Sequence, residues 1–366
     1  MKYRRITFPK DAFPHNTIIE WWYFNGNLKD SKGNEYSFMN CLFRADPKKV
    51  KIPFLNRIPL KFIYFSHSIV SDIKRKKTYY DINPLLLKSS DSFSKPLFFI
   101  NYTPPSLKGY LNYDIEEIER FKYRMKSRFL ELVLASKKTP LLEGGKGFLR
   151  LGSRETYYYS LTNMDTEGWL ILDGKRIKVK GKSWMDHQWA DVPFSADKWS
   201  WFSIQFENDV EMVCFEHDDC KRRSCLASII DRKGNSRHTT EAMLLPGNKI
   251  WKSPETGAEY PLSWKIKVPE FGVDIKVSAV LKGQEVLFST INYWEGAVRV
   301  KGMLNGRKTK AKGFMELASY PMSRSLLRRY RSRLERSLKN EVILAKDRLL
   351  DMHRSFIYRN NKNHKK

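Results

Sequence analysis

The sequence predicts an all-β fold of two successive β-domains, followed by a C-terminal amphipathic α-helix. Three observations predict it: apolar and polar residues alternate with a period of two, two sequence motifs recur in the same order, and the last part of the chain changes to a helical period. Aromatic residues make up 14% of the 366 residues. Such a share is typical of β-structure or of a ligand pocket walled by rings.

The strands are predicted from this alternation and from the turns between them. Apolar and polar residues alternate over 273–279, which is the period of a half-buried strand. The segments 36–43 and 210–215 are largely apolar on both faces, as in strands that are buried on two sides. Asp-Gly at 173–174 and Asn-Gly at 305–306 predict hairpin turns between such runs.

An internal repeat indicates that the β-domain is duplicated. A Gly-x6-Gly motif with alternating lysines stands at 174–181 and again at 306–313, each time followed closely by Met and an acid. The aromatic run at 21–24 has a counterpart at 199–202. Chance is an alternative for either echo alone, but two echoes in the same order favour a duplicated domain.

We therefore place a domain boundary near Asp191. The predicted parts are a first β-domain over 1–190, a second β-domain over 191–322 and a basic helical tail over 323–366. The middle of the first domain contains several prolines and is predicted as loops and strands, with a short helix over 115–122.

The tail has an amphipathic helical pattern over 325–359, a stretch without Pro or Gly. Apolar residues recur there at steps of three or four, namely Leu327, Tyr330, Leu334, Leu338, Val342, Ala345, Leu349, Met352 and Phe356. From residue 324 onward the chain has 14 Lys and Arg against 4 Asp and Glu, a net charge of +10. Two interpretations follow: the helix attaches the protein to an anionic membrane surface, or its apolar stripe packs on a barrel or on a second copy.

The whole chain carries a formal net charge of +27. Nucleic acid and anionic lipid are the partners that such a charge favours, and a basic but merely solvated surface is the alternative. Since the sequence contains no recognised nucleic-acid-binding motif, we expect no specific nucleic-acid partner.

Several features predict a cytoplasmic protein, peripheral at the inner membrane face if the tail binds lipid. The N-terminal residues lack the apolar core of a signal peptide, and no stretch reaches the roughly 18 uncharged apolar residues of a spanning helix. There are only four cysteines. Cys41 and Cys214 lie in apolar runs and are expected in the core, whereas Cys220 and Cys225 could pair or stay free.

The densest group of reactive side chains is Asp186-His187, which stands between Trp184 and Trp189. Apolar rings around a carboxyl group raise its pKa, so that the group can act as a general acid near neutral pH. The alternative is a buried, hydrogen-bonded Asp-His pair that holds the two domains together.

Other motifs place acids and rings where they could line a pocket. These are Glu20-Trp21-Trp22-Tyr23-Phe24, the tyrosines from 157 to 159, Trp201 and Tyr293-Trp294-Glu295-Gly296. The alternative for each is core packing or an acid bonded to the backbone. The residues predicted to bind substrate are Trp184, Trp189, Glu20, Trp22, Tyr158, Trp201, Tyr293 and Glu295.

No cofactor and no metal are predicted. The sequence contains no nucleotide-binding, zinc-protease or serine-hydrolase motif. His15 and His67 are isolated, and neither has metal-ligand spacing with His187 or His217.

These motifs form one series along the chain. In order they are Phe8-Pro9-Lys10-Asp11, His15, Glu20-Trp21-Trp22-Tyr23, Phe43-Arg44, Tyr157-Tyr158-Tyr159-Ser160, Trp184-Met185-Asp186-His187-Gln188-Trp189, Trp199-Ser200-Trp201-Phe202, Tyr260-Pro261-Leu262-Ser263-Trp264, Tyr293-Trp294-Glu295-Gly296, and Gly313-Phe314-Met315-Glu316-Leu317 with Tyr320. The series resembles the carotenoid 1,2-hydratase (hydroxyneurosporene synthase) family, also called AttH-like, over about residues 8–320.

The resemblance implies two tandem lipocalin-like β-barrels packed on each other. For the hydratase members it implies addition of water to a terminal carbon–carbon double bond of an acyclic carotenoid. The family's Trp-Met-Asp-His motif maps onto 184–187 and its Glu-Trp-Trp-Tyr motif onto 20–23. One departure stands in the second aromatic run, where the family usually has Asp and this chain has Ser200, which implies the loss of a carboxyl group near the site.

We therefore predict a cofactor-independent hydro-lyase that acts on an apolar, isoprenoid-like small molecule. Asp186 would protonate the alkene, His187 would orient Asp186 or position the water, and the rings of Trp184, Trp189 and Tyr158 would shield the cation. The alternatives are a cyclase or isomerase on an apolar natural product, and a carrier of a lipid or pigment without chemistry. The sequence makes no prediction of the oligomeric state.

Overall fold

The structure is a computed structural model, and its chain is nearly all β, as the sequence predicts. It describes residues 3–50, 60–88, 97–103, 113–152, 154–192, 197–219, 222–288 and 291–323, and in the tail 325–326, 335–336, 339–348 and 350–351. These residues form two large antiparallel sheets, a two-stranded ribbon, three short 3-10 turns and a C-terminal helix.

The first sheet contains twelve strands. They are β1 (Ile19–Asp30), β2 (Glu35–Ala45), β3 (Ile63–Asp72), β4 (Lys77–Lys88), β5 (Phe99–Thr103), β6 (Tyr113–Glu119), β7 (Lys122–Lys126), β8 (Leu130–Ser136), β9 (Leu141–Leu142), β10 (Phe148–Leu151), β11 (Arg154–Leu172) and β12 (Lys175–Ala190). Strands β1 to β8 pair one after another in sequence order. In addition, β1 pairs β12, and β12 pairs β11. Because β11 in turn pairs β8, ten strands close into a barrel.

The long strand β11 pairs with β12 along one edge and with three shorter strands along the other, and its register with β12 shifts between Leu161 and Met164. Its second half pairs with β8 and closes the barrel, whereas its first half pairs with β9 and β10. A β-bulge of this kind bends a strand and redirects its side chains. The first half of β11 is thereby carried from the barrel towards the second sheet.

The second sheet is an open half-barrel of ten strands. The strands after residue 190 are β13 (Lys198–Phe206), β14 (Glu211–Asp218), β15 (Arg223–Ile230), β16 (Ser236–Thr239), β17 (Met243–Pro246), β18 (Ile250–Lys252), β19 (Glu259–Pro261), β20 (Ser263–Val268), β21 (Val273–Ala279), β22 (Glu285–Phe288), β23 (Ile291–Leu304) and β24 (Arg307–Ala318). Of these, β18 and β19 form the separate ribbon. The structure thus has the tandem lipocalin-like architecture expected from the resemblance.

The two sheets repeat one plan. In each, the first strand pairs with the last, β1 with β12 and β13 with β24, and the last strand pairs with the one before it through a two-residue turn. Both turn residues have positive φ, at 173–174 and again at 305–306, as a type I′ hairpin requires. Phe24 lies opposite Met185, and Phe202 lies opposite Met315. The sequence echoes therefore occupy matching places, and an overlay of the two sheets would test the duplication.

Strands with two buried faces are the main feature of the core. Trp22 and Phe24 of β1 point into the barrel bore, while Tyr23 between them packs in a third cluster formed by both sheets. The predicted two-sided burial of segments 36–43 and 210–215 is found in β2 and β14. Cys41 and Cys214 are buried, as expected, and Cys220 lies outside the described residues.

The helix predicted over 115–122 is wrong, because this segment forms the hairpin of β6 and β7. Tyr113, Ile115 and Glu117 are buried alternately, which is the period of a strand. Phe121 adopts a positive φ at the turn between the two strands.

The C-terminal helix is described best over 339–348. Val342 and Ala345, two members of the predicted stripe, pack against an apolar cluster that includes Phe65 and Phe288. At these two positions the stripe packs on the body of the protein. The other seven members, Leu327, Tyr330, Leu334, Leu338, Leu349, Met352 and Phe356, lie outside the described residues.

No helix in the described part of the chain has the length and apolar character needed to cross a membrane. The first sheet ends at Ala190 and the second begins at Lys198. The division into 1–190, 191–322 and 323–366 stays a prediction.

Candidate active site between the two sheets

The predicted site residues form two groups, because successive side chains of β12 point to opposite faces. His187 and Trp189 point into the barrel bore, together with Glu20 and Trp22 of β1. Asp186 points the other way, towards the second sheet. The members of this second group are Trp184, Asp186, Tyr158, Trp201, Tyr293 and Glu295.

Asp186 is buried, with 4% of its surface exposed, and three donors surround its carboxyl group. Tyr158 OH donates to Oδ2 at 2.7 Å, and Ser160 Oγ and Trp184 Nε1 each lie 2.6 Å from Oδ1. Trp201 Nε1, from the second sheet, donates to Tyr158 OH at 3.0 Å. Burial raises the pKa of Asp186 to about 7, although the three donors oppose the rise.

Glu143 is a second buried acid beside Asp186. It comes from the 3-10 turn Glu143–Gly145, and Ser160 Oγ lies 3.0 Å from its Oε1. Burial raises the pKa of Glu143 to about 8, and the charge of Asp186 adds to the rise. Both acids therefore keep a proton well above the pH at which an exposed Asp or Glu loses it.

Two more acids, Glu295 and Glu316, lie directly opposite each other on β23 and β24. Tyr23 OH donates to Glu295 at 2.7 Å, and Trp199 Nε1 donates to Glu316. Burial raises the pKa of both, and for Glu295 the charge of Glu316 raises it further. We refer to Glu143, Asp186, Glu295 and Glu316 as the interface acid cluster.

Uncharged side chains border the cluster. Burial lowers the pKa of His67 to about 3, so the imidazole is neutral, and its Nδ1 lies 2.6 Å from Tyr293 OH. Burial raises the pKa of the Cys41 thiol, which keeps it protonated. Phe65 and Phe288 stack on each other beside His67. The buried carboxyl groups are therefore bordered by apolar and uncharged side chains.

Raising the pH from about 4 to about 7 is expected to lower the contribution of Asp186 to the free energy of unfolding. The folded protein keeps this carboxyl group protonated up to about pH 7, whereas the unfolded chain ionises it near 3.8. Each unit of difference corresponds to about 1.4 kcal/mol. Urea unfolding of wild type and Asp186→Asn over this range should show a smaller decline for the variant. Parallel curves would mean that the folded protein does not retain this proton.

In the barrel bore, Glu20 is the centre of a separate hydrogen-bond network. His15 Nδ1 and His187 Nε2 donate to its Oε1 at 2.7 and 2.9 Å, and Arg44 Nη1 donates to its Oε2 at 3.2 Å. Burial alone would raise the pKa of Glu20, but the two histidines lower it. The Trp189 ring stacks on His15 with centroids 3.8 Å apart.

The same network is the candidate metal site of the described residues. His15 was expected to be isolated, yet its ring, Glu20 and His187 offer ligand atoms that all lie within 4.8 Å of one another. Two imidazoles and a carboxylate are a ligand set that suits zinc or iron. The His15–Glu20 and His187–Glu20 contacts also have ordinary hydrogen-bond lengths, so these contacts fit an ion-free network as well.

The structure corrects two expectations about individual residues. His187 cannot orient Asp186, since it bonds Glu20 and Tyr159 on the opposite face of β12. Ser200 lies 3.3 Å from Tyr320 OH, on the face of β13 opposite Trp201. The carboxyl group that the family has at this position is therefore not missing from the interface acid cluster.

Sequence reasoning did not select Glu143, Ser160 or Glu316 as site residues. Glu316 had a signal, because it follows Met315 in the repeat just as Asp186 follows Met185. Ser160 is two residues after Tyr158 and so shares its face of the strand. Glu143 sits in a turn, and nothing in its local sequence marks it.

A family model described as AttH-like matches residues 1–320. The chain is 24% identical over 194 residues to the dehydratase asqC of Emericella nidulans. That alignment covers 49% of this chain and 54% of asqC, so the chain spans about half the length of this relative.

Two solved structures share the fold. A crystal structure assigned to AttH in Nitrosomonas europaea has a TM-score of 0.72 at 23% identity, covering 87% of this chain and 98% of its own. Kievitone hydratase from Nectria haematococca has a TM-score of 0.66 at 16% identity, covering 87% and 94%.

Proposed function

We propose, since the chain belongs to the AttH-like family, that it is a cofactor-independent hydro-lyase that adds water to, or removes water from, a carbon–carbon double bond. The similarity to a dehydratase and to a hydratase supports this reaction type. The observation that carries the proposal is the Asp186 carboxyl group, which is buried between the sheets with a pKa of about 7. A carboxylic acid with such a pKa can both give and accept a proton near neutral pH.

Asp186 is the proposed proton donor. In the hydration direction its proton forms a C–H bond with one alkene carbon, a water oxygen bonds to the other carbon, and one water proton then returns to the Asp186 carboxylate. The hydrogen bonds from Tyr158, Ser160 and Trp184 stabilise this carboxylate while it lacks its proton. Dehydration is the same sequence in reverse.

The aromatic residues around Asp186 are proposed to stabilise the intermediate carbocation. Trp184 and Trp201 meet edge to face, with centroids 6.4 Å apart, and Tyr158 bonds to both Asp186 and Trp201. Ring faces attract a cation by a further ~0.5–2 kcal/mol each. Trp189 had been expected in this role, but it lies in the bore, and we assign its place to Trp201.

For the substrate we propose an apolar, isoprenoid-like molecule. Tyr23, Phe215 and Tyr293 contribute rings to the cluster between the sheets, and Cys41 contributes an uncharged thiol. An acid-catalysed addition of water needs an alkene that forms a stable cation, and the branched double bond of an isoprenoid does so.

The test is turnover in D2O with a panel of acyclic and prenyl-type alkenes, preceded by mass spectrometry of the apolar molecules that copurify from the native host. We expect a product heavier by one water, with one deuterium bound to carbon. A ligand that binds and returns unchanged, without deuterium, would contradict the hydro-lyase and identify the protein as a carrier.

We also propose that the tail attaches the protein to an anionic membrane surface. Val342 and Ala345 pack on the barrel, but Ile343, Leu344 and Leu350 are 48%, 39% and 45% exposed. An exposed apolar face on a basic helix suits a lipid interface. Such a site would give the enzyme access to a substrate dissolved in the membrane.

Full-length protein is expected to co-sediment with anionic vesicles at low salt and not to co-sediment with neutral vesicles. Each Lys or Arg near such a surface contributes about 1 kcal/mol. Deletion of residues 324–366 should abolish binding and leave the circular dichroism of the sheets unchanged. If full-length protein stays in the supernatant even at low salt, the tail has only a packing role.

A further inference from the structure

The Ser160 hydroxyl lies between two carboxyl groups. Its oxygen is 2.6 Å from Asp186 Oδ1 and 3.0 Å from Glu143 Oε1. A hydroxyl group has one proton and can donate to only one of two acceptors. The second contact is therefore a hydrogen bond only if that carboxyl group is itself protonated and donates to Ser160. With both contacts made as hydrogen bonds, Asp186 and Glu143 therefore hold at least one proton between them.

Glu143 is also joined to the second sheet. The turn that carries it packs against β15 and β16. Ser228 of β15 lies close enough to Glu143 to oppose the rise of its pKa, although Oε2 has no hydrogen bond of ordinary geometry within the described residues. Ser228 is fully buried, and its hydroxyl group is a polar group near this carboxyl in addition to Ser160.

The line of polar groups continues to the surface through His238 of β16. Its Nδ1 is 2.9 Å from Ser228 Oγ, and the two residues are directly opposed in the β15–β16 pairing. The imidazole is only partly buried. A Cβ atom added to Gly145 would lie 3.4 Å from the His238 ring, so the turn that carries Glu143 packs against this ring.

We propose that His238, Ser228, Glu143 and Ser160 form a proton path between solvent and Asp186, with Glu143 as its buried reservoir. The proposal rests on the proposed function, in which Asp186 loses a proton in each hydration. Ser160 passes a proton to the Asp186 carboxylate while it takes one from Glu143. Ser228 then passes a proton to Glu143 while it takes one from His238, which regains it from water.

Such a path lets the buried Asp186 exchange its proton with solvent. Asp186 is enclosed by three donors and by the second sheet, so its direct exchange with solvent is hindered. Other titratable groups near it are Tyr158, which donates to it, and Glu316, whose charge raises its pKa. Glu143 is joined to it through a hydroxyl group that can move a proton by rotating.

The test measures hydrogen–deuterium exchange of the Asp186 carboxyl group by infrared spectroscopy in the full-length protein without substrate. Asp186→Asn assigns the band. Glu143→Gln keeps the hydrogen bond to Ser160 but holds no transferable acid proton, and His238→Gln removes the outer end of the path. Arg237→Gln, exposed on the same strand, is the matched control.

We expect both Glu143→Gln and His238→Gln to slow exchange at Asp186 by about tenfold or more, which corresponds to a modest rise in the activation free energy of exchange. The Arg237→Gln control should exchange like wild type. Unchanged exchange in His238→Gln overturns the path, even if Glu143→Gln fails to fold. A change in melting temperature with wild-type exchange would give Glu143 a structural role only and would also overturn it. Because no substrate is present, this result is independent of whether the hydro-lyase assay succeeds.

Discussion

Asp186→Asn is expected to lower turnover by about 10²- to 10⁴-fold, the usual contribution of a positioned acid. Asparagine has nearly the same size and keeps an oxygen that can accept from Tyr158 or Ser160, so the fold should persist. It has no acidic proton to give to an alkene. The measurement is the initial rate of hydration or dehydration, with circular dichroism melting to verify the fold.

The matched control for this substitution is Asp165→Asn on β11. Asp165 is 49% exposed and pairs with Lys137 and Lys182, not with a member of the interface acid cluster. Its variant should turn over like wild type. If Asp186→Asn retains wild-type turnover, Asp186 has no part in the reaction, and the other acids of the cluster become the candidates.

Glu20→Gln is expected to lower the free energy of unfolding by about 3–5 kcal/mol, as when one partner of a buried ion pair is removed. The substitution removes the charge that faces Arg44, itself buried, and the imidazoles of His15 and His187. Glutamine also has only one acceptor oxygen for these three donors. Urea unfolding monitored by tryptophan fluorescence measures the loss.

Glu131→Gln is the control for this experiment, because Glu131 pairs with Arg176 on the exposed side of the barrel. Such a surface pair contributes about 0–1 kcal/mol. Equal losses in the two variants would show that the Glu20 network does not stabilise the barrel.

The fold class could be predicted from the sequence because its signals are local. Alternation over 273–279 corresponds to β21, and the two-residue turns at 173–174 and 305–306 are where the sequence predicts them. The helix predicted over 115–122 was wrong because the buried period of Tyr113, Ile115 and Glu117 is that of a strand. Short amphipathic segments are ambiguous between the two periods when only their sequence is available.

The site could be predicted only in part. The motif around Asp186 identifies the acid, but adjacency in sequence does not give adjacency in space. In a strand, neighbours such as Asp186 and His187 point to opposite faces, and the alternation rule alone separates them. Glu143 could not be found in this way, because it reaches Asp186 only through the pairing of β9 with the first half of β11.

The pairing of β1 with β12 also has a kinetic consequence. It joins residue 19 to residue 190, and the second sheet repeats this with β13 and β24. Contacts so distant in sequence form late, since the loop between them must close first, and proteins dominated by them refold in roughly milliseconds to seconds. Asp186 lies on β12 and is covered by the second sheet, so it remains in water, as an ordinary carboxylate, until both sheets have formed and packed together. The raised pKa of this carboxyl group is therefore a property of the finished protein, which a chain that stops short of β12 lacks together with Asp186 itself.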